Sequence, residues 1–356
     1  MATSVLRRTV AQLFMIGLPG PTLDPPTREL LRERPPGGVI LFKRNVGSSA
    51  QLRRLVREIH ATGAGVPPLV AIDHEGGRVH RLPRPFTHFP PASVLGASGS
   101  MRLAEAVGLA MGRELAAVGI DLDFMPVLDV WSNPRNTVIG DRAFATEPGT
   151  VARAAIAFER GLRRGGVLSC GKHFPGHGST TGDSHFVLPR VTKSRRALAT
   201  EEIAPFQAAI DAGIPALMTA HVVYPALDHR PATLSAAICR DLLRDRLGFQ
   251  GVLFSDDLEM QGVAGRKPPE RAAAEALAAG CDMLLVCQSL DAVRRAMDGV
   301  EAAVARGRLD VRQLTTALGR IETLRRLRPE HPRAGRLGWP AHARLARQVV
   351  EEGGAA

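Results

Sequence analysis

The sequence of 356 residues has few aromatic side chains and very little lysine. Only 4% of its residues are Phe, Tyr or Trp, so the core must be built from Leu, Val, Ile and Ala. Four of the 46 basic residues are lysine, and the arginines are scattered along the chain, often beside Asp or Glu. The formal net charge of +11 is compatible with a nucleic-acid partner, but the basic clusters lack the interleaved aromatic residues that stack on bases. We therefore expect no nucleic-acid partner.

Cysteine pairs and long apolar runs are also missing. The four cysteines have no CxxC spacing, which argues against a disulfide framework or a zinc site. No apolar run reaches the roughly 20 residues that a transmembrane helix needs. The N-terminal stretch MATSVLRRTVAQLF lacks the uninterrupted apolar region of a secretory signal. We expect a cytoplasmic protein that acts as a monomer and does not bind membranes.

Short apolar runs alternate with longer segments of helical periodicity. Hydrophobic residues make up 45% of the chain, which is enough for a large core. Eight strands are predicted, at residues 13–18, 38–42, 68–73, 119–124, 166–173, 214–221, 250–256 and 282–287. Helices are predicted between them, at residues 51–62, 103–119, 150–165, 200–213, 235–248 and 270–280.

Eight strands alternating with helices predict an α/β fold of the TIM type, a (β/α)8 barrel. The alternative is a doubly wound open sheet, whose dinucleotide-binding form is disfavoured because no G-x-G-x-x-G follows an early strand. Further helices are predicted at about 309–327 and 341–352, joined by a linker rich in Pro and Gly. We expect one catalytic domain over residues 1–356, with the barrel at about 10–290 and a C-terminal helical tail at about 309–352.

Ionisable residues follow five consecutive predicted strands. These residues are Asp73, Asp129, Lys172 with His173, His221, and Asp256 with Asp257. In a barrel the carboxyl ends of the strands surround one mouth, so these side chains should meet there. A lone Asp at such a position is usually a helix cap, and Asp257 suits that role. Asp256 follows its strand directly, which would hold it rigidly and suits a nucleophile.

The stretch KHFPGHGSTTGDSH at residues 172–185 joins three histidines with glycines in a loop that begins at a strand. One interpretation makes His185 an acid–base group, with Asp183 orienting its imidazole. A second makes His173, His177, Asp183 and His185 metal ligands, although their spacing matches no known zinc pattern. A third makes Lys172 and the glycines a phosphate cradle, although the P-loop order is missing. An ordered loop with buried, hydrogen-bonded histidines is a further alternative.

Several stretches resemble the β-N-acetylhexosaminidases of glycoside hydrolase family 3, most closely the single-domain bacterial type that acts in cell-wall recycling. The resemblance runs from about residue 10 to about residue 290. It rests on the stretches PLVAIDHEGGRVHRL (68–82), PVLDV (126–130), KHFPGHG (172–178), DSH (183–185), MTAHVVYP (218–225), PATLS (231–235) and FSDDLEM (254–260).

The resemblance implies a TIM barrel and an exo-acting, retaining β-N-acetylglucosaminidase that needs no cofactor. Its substrate would be a muropeptide fragment, N-acetylglucosamine linked to 1,6-anhydro-N-acetylmuramic acid with or without peptide. Asp256 matches the family's nucleophile, and His185 matches its acid–base histidine, paired with Asp183. Five further residues match those that hold the sugar, namely Asp73, Arg81, Arg142, Lys172 and His173.

Three positions depart from the family pattern. His74 stands where Gln is common, Asp123 opens a segment that is more often Asn-Phe-Ala, and Ser179 replaces a frequent Asp. None of these departures removes a predicted catalytic group.

Three other functions stay open on the sequence. A phosphorylase would use phosphate where the hydrolase uses water, and a β-glucosidase would cleave glucosides in preference to 2-acetamido sugars. A non-catalytic sugar-binding protein would keep the fold without turnover.

Overall fold

The computed structural model describes residues 3–62, 66–181, 188–329 and 337–354. Its strands, in chain order, are β1 (Phe14–Gly17), β2 (Gly38–Leu41), β3 (Leu69–Ile72), β4 (Leu122–Asp123), β5 (Leu168–Ser169), β6 (Gly171–Phe174), β7 (Ala216–Thr219), β8 (Val223–Tyr224), β9 (Asp228–Pro231), β10 (Val252–Phe254) and β11 (Leu284–Val286). All eight predicted strand regions are confirmed as strands, and the predicted region 166–173 is divided into β5 and β6. The antiparallel hairpin of β8 and β9 was not predicted.

The strands form two parallel sheets and the small hairpin. One sheet has the order β11-β1-β2-β3-β4-β5, and the other has the order β10-β7-β6. Isolated parallel bridges link the sheets at both seams, between Val127 and Lys172 and between Phe254 and Met283. The predicted parallel α/β arrangement is thus confirmed, but the described strands do not pair into one closed ring. One reason is local: Pro126 has no N–H for a strand ladder, and the Cys170 N–H donates to both Asp123 and Met125.

The helices cover the strands from outside. They are α1 (Thr3–Ala11), α2 (Pro25–Glu33), α3 (Ser49–His60), α4 (Ala92–Ala97), α5 (Met101–Ala116), α6 (Pro148–Arg164), α7 (Arg195–Ala197), α8 (Ala204–Asp211), α9 (Gln261–Ala264), α10 (Pro269–Ala279), α11 (Leu290–Ala305), α12 (Val311–Arg326) and α13 (Pro340–Gly353). Short 3-10 turns occur at Lys43–Asn45, Gly140–Arg142 and Ala232–Leu234. No helix in the described ranges combines the length and the apolar character needed to cross a membrane.

Two predicted helices differ in kind from the expectation. The predicted helix at 235–248 is a π-helix, Ala237–Arg246, and the one at 200–213 begins as a π-helical turn, Leu198–Glu202. Pro205 lies in the first turn of α8 and lacks an N–H group, so the hydrogen-bond pattern changes there. The sequence prediction also omitted α11, which directly follows the last strand.

Periodicity and capping explain the regular helices. In α3 the buried residues Leu52, Leu55, Val56 and Ile59 lie on one face, and the Ser48 side chain accepts the N–H of Gln51 at the start. Helices α5 and α6 pack closely because glycines face each other's backbone. A Cβ on Gly108 would lie 2.1 Å from the carbonyl oxygen of Phe158. Larger residues at such positions would force the two helices apart.

The hydrophobic core is one contiguous cluster. It includes the central strands and residues of the last two helices, such as Leu314, Leu324 and Val349. Helix α13 is fixed on the outside by a hydrogen bond between His342 Nδ1 and Glu114 Oε1, at 2.7 Å. The parallel strands therefore present their carboxyl ends on a rigid frame, and the polar residues that follow them lie on this frame.

Candidate active site

A cavity of about 690 Å³ lies at the carboxyl ends of the strands. All six of the predicted site residues that the structure describes line it, namely Asp73, Arg81, Arg142, Lys172, His173 and Asp256. Asp183 and His185 lie outside the described residues. Side chains that are 183 residues apart in sequence, Asp73 and Asp256, thus share one cavity.

A network of four charged residues forms one wall of the cavity. Lys172 Nζ lies 2.6 Å from Asp73 Oδ1 and 2.6 Å from Glu75 Oε1. Arg142 donates two hydrogen bonds to the same Glu75 carboxylate, from Nε at 2.8 Å and from Nη2 at 2.9 Å. Two cations and two carboxylates therefore balance in charge within the wall.

The network keeps Glu75 and Lys172 ionised although both are buried. Burial alone would raise the pKa of Glu75, but the charges of Arg142 and Lys172 outweigh it and hold that pKa well below its ordinary value. Burial alone would lower the pKa of Lys172. The carboxylates of Asp73 and Glu75 outweigh this effect of burial and raise the Lys172 pKa. The wall thus offers fixed charged donors and acceptors, which suit sugar hydroxyls.

His173 is oriented by a buried carboxylate behind the wall. Its Nδ1 lies 2.7 Å from Asp129 Oδ2, and Asp129 Oδ1 accepts the backbone N–H groups of His173 and His177. His177 is buried, and its Nδ1 lies 3.0 Å from Thr180 Oγ1. Burial and the nearby His173 lower the His177 pKa to about 4. His177 is therefore a neutral, hydrogen-bonded residue of the loop, as the ordered-loop alternative expects.

Asp256 follows β10 after one residue, Ser255, and lines the cavity. Its Oδ1 accepts the backbone N–H of Asp257 at 2.8 Å. The Asp257 carboxylate turns to its own loop, where Oδ1 accepts the N–H groups of Glu259 and Cys287. His221 Nε2 lies 2.9 Å from the Asp257 carbonyl oxygen. Asp257 thus contacts residues that follow β7 and β11, as well as its own loop after β10.

Asp257 was predicted to cap a helix, and this prediction is wrong in detail. The next helix, α9, begins at Gln261, and its N-cap residue is Met260. Asp257 instead caps the turn before that helix and links β10 to β11. Burial, aided by the nearby charges of Glu259 and Asp256, raises the Asp257 pKa to about 7.

Two arginines that follow β3, Arg78 and Arg81, line the cavity and differ in their contacts. Arg78 donates Nη2 to the carbonyl oxygens of Thr137 and Val138, each at 2.8 Å, and Nε to Asp141. It therefore fixes the loop that carries Arg142. The Nε of Arg81 is buried without a hydrogen-bond partner among the described residues. Arg81 also lines the cavity.

The described first half of the glycine-rich loop, to residue 181, is held from several sides. Asn136 Nδ2 donates to the His177 carbonyl oxygen at 2.7 Å, and Ser179 donates to Glu202. Glu202 also binds Lys193 Nζ at 2.7 Å. Among the described residues, no three His, Cys, Asp or Glu side chains converge in a way that could hold a metal ion.

The sequence analysis missed Glu75 as a site residue. It expected Asp129 at the mouth of the barrel but assigned it no role in the site. The available signal was the position of Glu75 two residues after Asp73, which puts it at the same end of β3. Its partner Arg142 is 67 residues away, and no local pattern indicates that pairing.

The comparisons with known proteins agree with this geometry. The model of the glycosyl hydrolase family 3 N terminal domain matches residues 5–324. A β-hexosaminidase of Chromobacterium violaceum is 46% identical over 280 residues, which cover 77% of this chain and 78% of the relative.

Two solved structures are similar over nearly the whole chain. A family 3 β-N-acetylglucosaminidase from Paenibacillus sp. str. FPU-7 superposes with a TM-score of 0.94 and 37% identity, covering 98% of this chain and 68% of that chain. NagZ from Neisseria gonorrhoeae, in complex with N-trifluoroacetyl-D-glucosamine, superposes with a TM-score of 0.82 and 36% identity, covering 96% and 97%. The chain therefore belongs to glycoside hydrolase family 3, as a hydrolase of the β-N-acetylhexosaminidase kind.

Proposed function

We propose that the protein is a retaining exo-β-N-acetylglucosaminidase that removes terminal, non-reducing N-acetylglucosamine. The observation that carries the proposal is the shared cavity in which Asp256, on a rigid strand end, faces the charged wall of Asp73, Lys172 and Arg142. A retaining glycosidase needs one carboxylate placed as a nucleophile beside groups that fix the sugar ring.

The substrate that we propose is a peptidoglycan fragment, N-acetylglucosamine linked to 1,6-anhydro-N-acetylmuramic acid with or without peptide. The complex of the related NagZ with an N-acylated glucosamine supports an amino-sugar site. We place the enzyme in the cytoplasm, as a monomer that takes part in cell-wall recycling. We also propose that the two parallel sheets together act as one (β/α)8 barrel, within a single domain of residues 1–356.

In the first step, the Asp256 carboxylate attacks the anomeric carbon and the glycosidic bond breaks. His185, oriented by Asp183, gives its proton to the departing oxygen, so the aglycone leaves as an alcohol. The sugar is then joined to Asp256 as an ester. In the second step, neutral His185 takes a proton from water, the resulting hydroxide attacks the same carbon, and the ester bond to Asp256 breaks. Two inversions give net retention.

Residues of the charged wall, together with Arg81 and His173, would bind the sugar while these steps occur. Asp73 accepts hydrogen bonds from hydroxyl groups, and Lys172, Arg81 and Arg142 donate them. The bond from Nδ1 of His173 to Asp129 leaves the other ring nitrogen for a hydroxyl group. An imidazole acid–base group adds no negative charge near Asp256, whereas a second carboxylate would raise the Asp256 pKa.

Turnover of 4-nitrophenyl N-acetyl-β-D-glucosaminide tests the proposal, measured beside the glucoside and with or without phosphate. We expect hydrolysis of the acetamido sugar only, independent of phosphate, with the β-anomer of the product formed first. Asp256→Ala should abolish turnover, whereas Asp291→Ala, which changes an exposed aspartate of α11, should not.

Sugar 1-phosphate as the product would make the protein a phosphorylase, and preference for the glucoside would make it a β-glucosidase. Binding of N-acetylglucosamine without any turnover would leave a sugar-binding protein. Full activity of Asp256→Ala would remove the proposed nucleophile.

A further inference from the structure

Glu75 lies at the centre of the charged wall, but the steps proposed for Asp256 and His185 give it no role. Its side chain is only 3% exposed, and each carboxylate oxygen is already engaged. Oε1 accepts from Arg142 Nη2 and lies 2.6 Å from Lys172 Nζ, and Oε2 accepts from Arg142 Nε. A carboxylate with both oxygens occupied by the protein is placed to hold other side chains.

We propose that Glu75 is a positioning residue that fixes Lys172 and Arg142 as one rigid pair of donors for the sugar. This inference rests on the proposed function, since it assigns to both cations the task of binding sugar hydroxyls. The two like charges, Lys172 on β6 and Arg142 at the end of a 3-10 turn, would otherwise repel each other in a buried setting. The forked contact with Arg142 fixes the plane of the guanidinium as well as its position.

The backbone around Glu75 is built to hold the carboxylate still. The Glu75 N–H donates to the Val79 carbonyl oxygen at 2.9 Å, which closes a tight loop. Gly76 and Gly77 both have positive φ, +87° and +50°, which other residues rarely adopt. A Cβ on Gly76 would lie 2.8 Å from the Pro90 carbonyl oxygen, so the loop packs tightly against the segment that contains Pro90. A rigid support of this kind reduces the ordering that the substrate must impose.

The charged groups around Lys172 and Arg142 explain why a carboxylate is needed between these two cations. Lys172 is faced by the carboxylates of Asp73 and Glu75, by the carboxyl group of Asp123, whose pKa burial raises, and by the guanidinium of Arg142. Asp73 contacts Lys172 and also lines the cavity, where it can bind the ligand itself. Glu75 is the residue of this group that contacts both cations directly.

The test compares Glu75→Gln with wild type on 4-nitrophenyl N-acetyl-β-D-glucosaminide. Glutamine keeps the shape but turns a donor toward one of the two cations. We expect KM and the inhibition constant of free N-acetylglucosamine to rise together, on the order of 10- to 100-fold, because charge-assisted hydrogen bonds to the sugar are misplaced. The value of kcat should change much less than KM, because the proposed nucleophile and acid–base residue are unchanged.

Glu114→Gln serves as the matched control. Glu114 is also a buried glutamate with several partners, Thr87 and His342, but it lies outside the cavity. Glu114→Gln should lower the denaturation midpoint without changing KM or the inhibition constant of N-acetylglucosamine. If Glu75→Gln behaves like this control, with stability reduced and both kinetic readouts unchanged, the inference is overturned.

A second variant keeps the test decisive if Glu75→Gln does not fold. Glu75→Asp retains the charge but withdraws the carboxylate by one methylene, so a rise in KM is expected here as well. Unchanged KM in a folded Glu75→Asp would contradict the inference. Absence of turnover in wild type would instead contradict the proposed function, and the two failures are therefore distinguishable.

Discussion

Oδ2 of Asp129 lies 2.7 Å from Nδ1 of His173, and Oδ1 of the same carboxylate accepts the backbone N–H groups of His173 and His177. One buried side chain thus sets both the course of the chain after β6 and the orientation of the imidazole. A carboxylate at Nδ1 also fixes a proton on that nitrogen, so that in the neutral imidazole Nε2 is the acceptor.

Asp129→Asn should reverse this tautomer, because the amide can direct its NH2 group toward Nδ1. His173 would then donate from Nε2, and a sugar hydroxyl that donates to this nitrogen would lose its acceptor. We expect kcat/KM to fall by about 10- to 100-fold. Long-range ¹⁵N–¹H spectra of the histidines report the tautomer directly. Reduced kcat/KM with an unchanged tautomer would contradict this explanation.

Arg142→Lys tests the forked contact with Glu75. Lysine keeps the charge but cannot donate two parallel hydrogen bonds to one carboxylate. We expect KM for the acetamido substrate to rise about 10-fold or more, with a smaller change in kcat, because a ground-state contact with the sugar is weakened. Arg312→Lys, at a side chain that is 90% exposed, is the control and should leave both constants unchanged. Wild-type kinetics in Arg142→Lys would argue that only the charge matters.

His185→Ala tests the proposed acid–base residue, which lies outside the described part of the chain. Hydrolysis of an alkyl glycoside should slow by several orders of magnitude, whereas that of an aryl glycoside with a good leaving group should slow much less. The reason is that an activated leaving group needs little proton assistance. Steady-state and burst kinetics on the two substrates measure the difference. Equal losses on both would assign His185 a structural role.

Asp123→Asn tests a departure from the family pattern. Burial raises the Asp123 pKa well above its ordinary value of 3.8, and Oδ2 is buried without a hydrogen-bond partner among the described residues. A neutral carboxyl resembles the asparagine that is more usual here, and the Oδ1 that accepts the His74 N–H would be kept. We expect the variant to retain activity.

The raised pKa of Asp123 determines how the stability of wild type changes with pH relative to that of Asp123→Asn. The contribution of protonated Asp123 to stability is complete below pH 3.8 and is lost as the pH rises through the folded-state value. Wild type should therefore lose stability relative to Asp123→Asn as the pH is raised from about 4 toward that value. Urea denaturation of both proteins at several pH values measures this difference. Parallel stability curves would show that Asp123 titrates normally.

Much of the fold could be read from the chain because its signals are local. Strands such as β3 and β11 are short apolar runs, and helices such as α3 carry periodicity and caps within a few residues. Where backbone pairing depends on distant partners, prediction was weaker. The predicted strand 119–124 is reduced to β4, because Pro126 and the shared Cys170 N–H interrupt the ladder beyond it.

The order of residues is enough to predict which chemical groups stand at the strand ends, because a carboxylate that closely follows an apolar run must lie at the end of that strand. Several stretches in a fixed order also indicated the family. The contacts of Glu75 with Arg142 and Lys172, and of Asp129 with His173, are seen only in the folded chain. Those contacts join residues 44 to 97 positions apart, and their geometry depends on how separate loops pack at one end of the sheets.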